Sequence, residues 1–243
     1  MTSCCPIIEL RQYTLCDGQR ETLIDLFERE FIESQEALGI SVIGQFRDLE
    51  DRNRFVWLRG FECMEARGEA LTSFYDGPVW ASHRSAANAT MIDSDNVLLL
   101  RPSAPDTGFV LGGCRRSGEA GEASSETIVV AVVYYLEPSA ADDFAEFFQA
   151  VMRPSIIATS APILATLATE TASNNFPRLP IRDQENVFIW FSSFAGRGAL
   201  ESFWTELRQS DDWRVNAPAR VLRQLMRKPE TLILAPTRRS LLR

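Results

Sequence analysis

The chain is close to a repeat of itself, and that limits its possible folds more than any other feature. A shift of 133 residues places Asn53 on Asn186, Phe55 on Phe188, Trp57 on Trp190, Phe61 on Phe194 and Trp80 on Trp213. Only 5 tryptophans occur in the chain, so two tryptophan pairs in register are a strong sign of internal repetition. Downstream, "VLLLRP" ending at Pro102 matches "TLILAP" ending at Pro236, with one extra residue. Upstream, "IELRQYTL" at 8–15 aligns with "VAVVYYLE" at 130–137, which sets Tyr13 on Tyr135, Glu9 on Ala131 and Arg11 on Val133.

Read once, each half runs strand, helix, strand, strand, helix, strand, the ferredoxin-like order. "IIELRQYTL" alternates and is rich in β-formers, so it predicts a strand. The stretch after it carries Leu23, Leu26, Phe27, Phe31 and Leu38 at helical spacing, with Asp17 as the expected N-cap and Gly39 as the stop. "SVIGQF" and "RFVWLRGF" read as strands joined by the polar turn "RDLEDRN". A helical region from Glu65 to Ala89 breaks at "DGPVW", where Pro78 suits the first turn of a new helix. "NVLLLRP" closes the half. In the second half Pro154 is expected to bend or break the first helix, and the loop "TASNNFPRLPIRDQEN" lengthens the unit. The expected division is 1–102, a Gly/Ser/Glu-rich linker at 103–126, and 127–243. "GFVLGG" inside the linker suggests a flap, with plain linker the preferred reading.

Composition excludes several kinds of chemistry. A net charge of −8 argues against a nucleic-acid partner. No apolar run approaches the ~20 residues of a membrane-spanning helix, and "MTSCCPIIEL" lacks the features of a secretory signal, so a cytoplasmic protein is expected. Lys228 is the one lysine beside 24 arginines, no phosphate-binding G-x-x-x-x-G-K-[ST] occurs, and the 5 cysteines show no zinc spacing, so no metal is expected. His83 is the only histidine, and no G-x-S-x-G elbow accompanies it.

The combination "IELRQYTL", "GISVIGQF" and "NRFVWLRGF", with a tryptophan about two dozen residues on, resembles the NIPSNAP family. Halves of that family open with a Glu-Leu-Arg-x-Tyr strand and carry a hairpin strand of the form Leu-Trp-x-Tyr/Phe. The resemblance covers residues 7–102 and reaches 127–236 through the repeat. It implies an α+β fold of the dimeric barrel type, in which two ferredoxin-like antiparallel sheets face each other with helices outside. The barrel would close within one chain, as a monomeric pseudo-dimer, or between two as a homodimer. Related barrels include cofactor-free monooxygenases, lactone isomerases and haem enzymes, so the fold does not choose a function.

Strand alternation selects the candidate site. Side chains of a strand point alternately to its two faces. One face of the first half is apolar, and the other carries Glu9, Arg11, Tyr13, Gln45, Arg47, Trp57, Arg59 and Arg101. The apolar set is assigned to the helices and the mixed set to the barrel interior. Enclosed arginines in excess of carboxylates suit an anionic ligand. Glu9, Tyr13 and Arg59 are therefore the expected catalytic groups, and Arg11, Gln45, Arg47, Trp57, Arg101, Tyr135 and Trp190 the expected ligand-binding groups. The copy replaces Arg59 by Ser192 and Arg101 by Ala235, which points to the first half. The expected ligand is a small amphipathic organic anion, handled without a cofactor by an oxygenase or isomerase type of enzyme. The alternatives are an ion-pair network that fixes strand register in a scaffold protein, and haem bound through His83.

Overall fold

Eight β-rich runs become eight strands, and each finds a neighbour on both sides. The strands are β1 (Ile7–Leu15), β2 (Ser41–Asp48), β3 (Arg54–Phe61), β4 (Met91–Pro102), β5 (Ile128–Tyr135), β6 (Ile163–Thr169), β7 (Val187–Phe194) and β8 (Glu230–Pro236). In this computed structural model, residues 4–112, 114, 116, 126–138, 140–211, 213–214, 221 and 223–243 are described. The strands close into one barrel in the order β1-β3-β2-β8-β5-β7-β6-β4. Every pairing is antiparallel, with seams between the halves at β2–β8 and β4–β6. Each half contributes four strands in the same ferredoxin-like order, and the barrel closes within a single chain.

Helices cover the outside of each sheet. In the first half α1 (Arg20–Leu26) continues through a π-turn at Phe27–Phe31 into α2 (Ile32–Glu36), and α3 (Met64–Tyr75) and α4 (Pro78–Ala89) follow β3. The second half has α5 (Ala141–Phe147), a π-turn at Phe148–Met152, α6 (Arg153–Ala158) and α7 (Arg197–Gln209). Pro78 occupies the first turn of α4. Gly39 stands just beyond α2 at φ 81, a conformation that costs glycine least. Asp17 is not the cap: Gln19 precedes α1, and Asp17 pairs with Arg52 at 2.7 Å. Pro154 does not end its helix either, because it sits in the first turn of α6 just past the π-turn. The same π-turn occurs at Phe27–Phe31 without a proline, so it belongs to the fold and not to Pro154.

Strand register corrects the alignment of the halves by one residue. Ile7 pairs with Phe61, and Ile128 pairs with Phe194. The third strands are therefore related by 133 but the first strands by 121, as are Phe27 and Phe148 at the openings of the π-turns. Tyr13 corresponds to Tyr134, Glu9 to Val130 and Arg11 to Val132. A one-residue slip turns a strand side chain to the opposite face, so Tyr135 points away from the position that Tyr13 occupies.

The larger correction concerns the two faces. Ile8, Leu10, Val56, Leu58, Leu98 and Leu100 join Val129, Ala131, Val133, Ile189, Phe191, Leu232 and Leu234 in one buried cluster drawn from both halves. This cluster is the barrel interior. Side chains fill an eight-stranded barrel of this width, and here they are mostly branched aliphatics. The mixed face therefore points outward and is enclosed by helices: Tyr13, Phe55 and Trp57 pack with Leu23, Phe27, Phe31 and Phe74. Phe109 adds to the interior, fully buried and 5.0 Å from Phe191 between ring centroids. Thr166 donates its N–H to the Thr107 carbonyl at 2.8 Å, and Cys4 donates its own to Phe109 at 2.8 Å, so this segment is held against the barrel. Gly113 of "GFVLGG" and residues 117–125 lie outside the described residues.

Candidate functional site

β1 turns Glu9, Arg11 and Tyr13 toward the helices, opposite Arg59, Trp57 and Phe55 of β3. α3 lays Arg67, Ala70, Leu71 and Phe74 on its buried face, and α2 adds the buried Gln35. One carboxylate then meets three guanidinium groups. Glu9 Oε2 accepts from Arg11 Nη1 at 2.7 Å and from Arg59 Nε at 2.8 Å, while its Oε1 accepts from Arg67 Nε at 2.7 Å. Exposure is 0% for Glu9, Arg59 and Arg67 and 1% for Arg11, so water screens none of these charges. Arg59 also donates to Gln35 Oε1 at 3.3 Å, and Arg67 Nη1 donates to Asn174 Oδ1 at 3.1 Å and Asn175 Oδ1 at 2.6 Å.

The titration behaviour follows from this crowding. Burial alone would raise the Glu9 carboxyl, but Arg59, Arg11 and Arg67 together hold it well below the usual carboxylate range. Burial would lower Arg11, yet Tyr13 and Glu9 raise it above its ordinary value. Arg67, a further claimant on the same carboxylate, is pulled down by burial. The Tyr13 phenol is pushed up by burial, against the opposing charge of Arg11. Three cations facing one anion leave a buried positive excess, which is costly unless an anion joins it.

Beside this cluster lies an aromatic recess lined by Tyr13, Phe27, Phe31, Trp57, Phe74 and Tyr75, among others. Its free space is about 30 Å³, roughly the share of one water molecule in the liquid. The Arg11 and Arg59 guanidinium carbons lie 5.5 and 5.1 Å from the Trp57 ring, within cation–π range. The Tyr13 hydroxyl accepts from Arg11 Nε at 3.0 Å. Trp57 Nε1 is buried with no acceptor among the described residues, although buried polar groups are normally paired. The recess is thus aromatic and apolar, with Arg11 and Arg59 close to its Trp57 ring but not among its lining residues.

The remaining predicted residues lie outside the cluster. Gln45 is fully buried on β2 beside Trp57, with both amide atoms unpaired among the described residues. Arg47 reaches the surface and pairs with Glu21, its Nε donating at 2.9 Å. Arg101 lines a shallow groove with Pro6, Ser103 and Glu170. Tyr135 belongs to the interior cluster, donates to Glu230 Oε2 at 2.6 Å and has the Arg227 guanidinium carbon 3.6 Å above its ring. Trp190 lies beneath the helices of the second half, and its Nε1 reaches the Tyr134 hydroxyl at 3.5 Å. His83 on α4 stands 3.4 Å from Glu30 and does not line the recess. Among the described residues, no group of three or more His, Cys, Asp or Glu is placed to hold a metal, and no helix is long and apolar enough to cross a membrane.

The second half provides an internal control. With the register corrected, Glu9, Arg11, Gln35, Arg59 and Arg67 correspond to Val130, Val132, Ile156, Ser192 and Leu200. The indole corresponding to Trp57 reaches a partner, and the rings of Phe148, Phe203 and Trp204 pack around it. Arg67 and Gln35 escaped a reading confined to strands. Two signals for Arg67 were available: a charge on an otherwise apolar helix face, and its replacement by Leu200 under the 133-residue shift.

Residues 8–105 match the NIPSNAP family model. No curated protein matches the chain. Several solved structures share the fold along nearly its whole length. A candidate monooxygenase from Lactobacillus acidophilus NCFM is 12% identical, with 96% of this chain and 94% of that chain covered at a TM-score of 0.57. A candidate monooxygenase from Fusobacterium nucleatum is 9% identical, with 96% and 93% covered at 0.59. An anthrone oxidase-like protein is 16% identical, with 95% and 91% covered at 0.57. At these identities the likeness concerns the fold.

Proposed function

We propose that this chain, whose residues 8–105 form a NIPSNAP domain, binds a small amphipathic organic anion between its N-terminal sheet and the helices above it, and oxygenates it with dioxygen. The observation that carries the reading is the buried excess of arginine beside an aromatic recess lined by Trp57, whose N–H has no acceptor among the described residues. To admit an aromatic anion Phe27, Phe31 and Phe74 must part, since the free space is about 30 Å³; the anion's enolate or phenolate oxygen would then accept from Trp57 Nε1 or the Tyr13 hydroxyl. The guanidinium charges favour the ionised ligand, and so lower the free energy of the carbanion that meets dioxygen. Glu9 is too firmly ionised to serve as a base near neutrality, so its role is to orient the three arginines. Support for the reaction class comes from the names of the fold neighbours, among them an anthrone oxidase-like protein.

Anthrone is a suitable probe, because its oxidation balances without a further reductant. Its methylene carbon gains one oxygen atom as a carbonyl, and the two hydrogens leave with the second oxygen as water. The experiment follows oxygen uptake and quinone absorbance for the wild type and for Arg11→Met. One dioxygen consumed per quinone, at a rate well above the spontaneous one and lost in the variant, supports the reading. No acceleration, together with no binding of anthrone or of aromatic carboxylates, overturns it. The free space of about 30 Å³ favours a second reading, in which the charge cluster only fixes the packing of a non-catalytic barrel. On that reading the wild type and Arg11→Met would both leave the probe untouched.

A further inference from the structure

The halves differ most in the connection between their second and third strands. In the first half residues 49–53 join β2 to β3, whereas in the second half residues 170–186 join β6 to β7. A connection of the latter length without regular structure is uncommon in a compact fold and is often functional. Here it crosses the β4–β6 seam and settles on α3 of the first half. Asn174 and Asn175 accept from Arg67 Nη1 at 3.1 and 2.6 Å, and Asn175 Nδ2 donates to the Met64 carbonyl. The fit is close: a Cβ added at Gly68 would stand 2.8 Å from Asn175 Nδ2. Asn174 is held in turn, since its Nδ2 donates to the Leu179 carbonyl at 2.9 Å and its Oδ1 accepts from the Phe176 N–H at 3.1 Å. The Phe176 ring, 5% exposed, stacks on Tyr75 at 5.8 Å and 27°, and Tyr75 lines the recess.

We infer that Asn174, Asn175 and Phe176 of the C-terminal half are positioning residues for the site in the N-terminal half. The asparagines fix Arg67, and through it the Glu9 carboxylate to which Arg11 and Arg59 are bound. Phe176 fixes Tyr75 at the wall of the recess. The inference rests on the proposed function, because it takes the recess as the site. It also gives the apolar second half a role: it supplies the outer support for charges that its own sheet lacks. Sites hold their geometry only when their supporting shell is fixed, and a displacement of about 1 Å can cost on the order of 100-fold in rate.

The test compares wild type, the double variant Asn174→Ala/Asn175→Ala, and Asn175→Asp, which keeps an oxygen acceptor for Arg67. Anthrone turnover is measured alongside arginine Nε–H hydrogen exchange by NMR in the absence of any probe. The double variant is expected to lose at least tenfold in kcat/KM and to lose protection at the Arg67 Nε–H, while its melting temperature stays within a few degrees. Asn175→Asp keeps an acceptor for Arg67 but loses the bond to the Met64 carbonyl, and is expected to retain most of the Arg67 protection and more of the kcat/KM than the double variant. Wild-type kinetics and exchange in the double variant would overturn the inference and leave the loop a structural anchor. A wild type inert toward anthrone would count against the functional reading; the exchange arm then decides the inference alone, with unchanged Arg67 protection refuting it.

Discussion

Replacing Glu9 by glutamine examines the charge cluster at its centre. The substitution keeps the shape of the side chain and removes the one carboxylate that, among the described residues, pairs with Arg11, Arg59 and Arg67. All four groups are at most 1% exposed, so solvent cannot compensate for the loss. Removing one partner of a buried pair costs about 3–5 kcal/mol, because the remaining charge stays buried. For a domain of this size each kcal/mol corresponds to about 2–4 °C, so the melting temperature should fall by about 6–20 °C. Calorimetry and urea unfolding at pH 7 measure the change, urea being uncharged. Glu21→Gln is the control, since its pair with Arg47 is more than half exposed on the glutamate side and should be worth less than about 1 kcal/mol. Adding Arg11→Met to Glu9→Gln removes one stranded charge and should recover part of the loss. A Glu9→Gln protein within about 1 kcal/mol of wild type would refute the claim that this carboxylate offsets the buried arginines.

The pH dependence follows from the same residue. The folded-state pKa of Glu9 is depressed, so its contribution is complete above the ordinary carboxylate pKa of about 4.3 and is lost as pH falls toward the folded value. The stability gap between wild type and Glu9→Gln should therefore stay constant from about pH 5 to 8 and narrow below about pH 4, as paired melts would show. Phe109→Ala empties a filled position of the barrel interior and should cost about 3–5 kcal/mol in urea unfolding. Trp57→Phe removes a buried N–H that has no partner among the described residues but leaves a small cavity at a packed position, so stability should fall by about 1–3 kcal/mol while affinity for an aromatic anion also falls.

Much of this molecule was legible in its sequence, and the failures have physical causes. The tryptophan pairs gave the repeat and the element order: Trp57 and Trp190 hold the same place in the two sheets, and Trp80 and Trp213 pack half-buried against them. Alternation separated Glu9, Arg11 and Arg59 from Ile8, Leu10 and Leu58, but it did not say which set lines the barrel. Both faces of these strands are buried, one by the opposite sheet and one by helices. β5 illustrates the difficulty, since "IVVAVVYY" is buried at every position and offers no polar face to orient it. The same lack of contrast hid the one-residue slip that exchanged Tyr134 for Tyr135. Asn174 and Asn175 were out of reach for another reason: they meet Arg67 more than 100 residues away, across a seam that exists only when the barrel closes.

The central claim is that the site lies between the N-terminal sheet and its helices and takes an anionic aromatic molecule. The most direct measurement is a crystal structure of the wild-type protein grown with an excess of anthrone. The rings are expected between Phe27, Phe31 and Phe74, which must separate from their present packing to admit them, with the probe's oxygen within hydrogen-bonding distance of Trp57 Nε1 or the Tyr13 hydroxyl. A probe bound in the barrel interior or in a surface groove, or a recess unchanged at saturating probe, would contradict it.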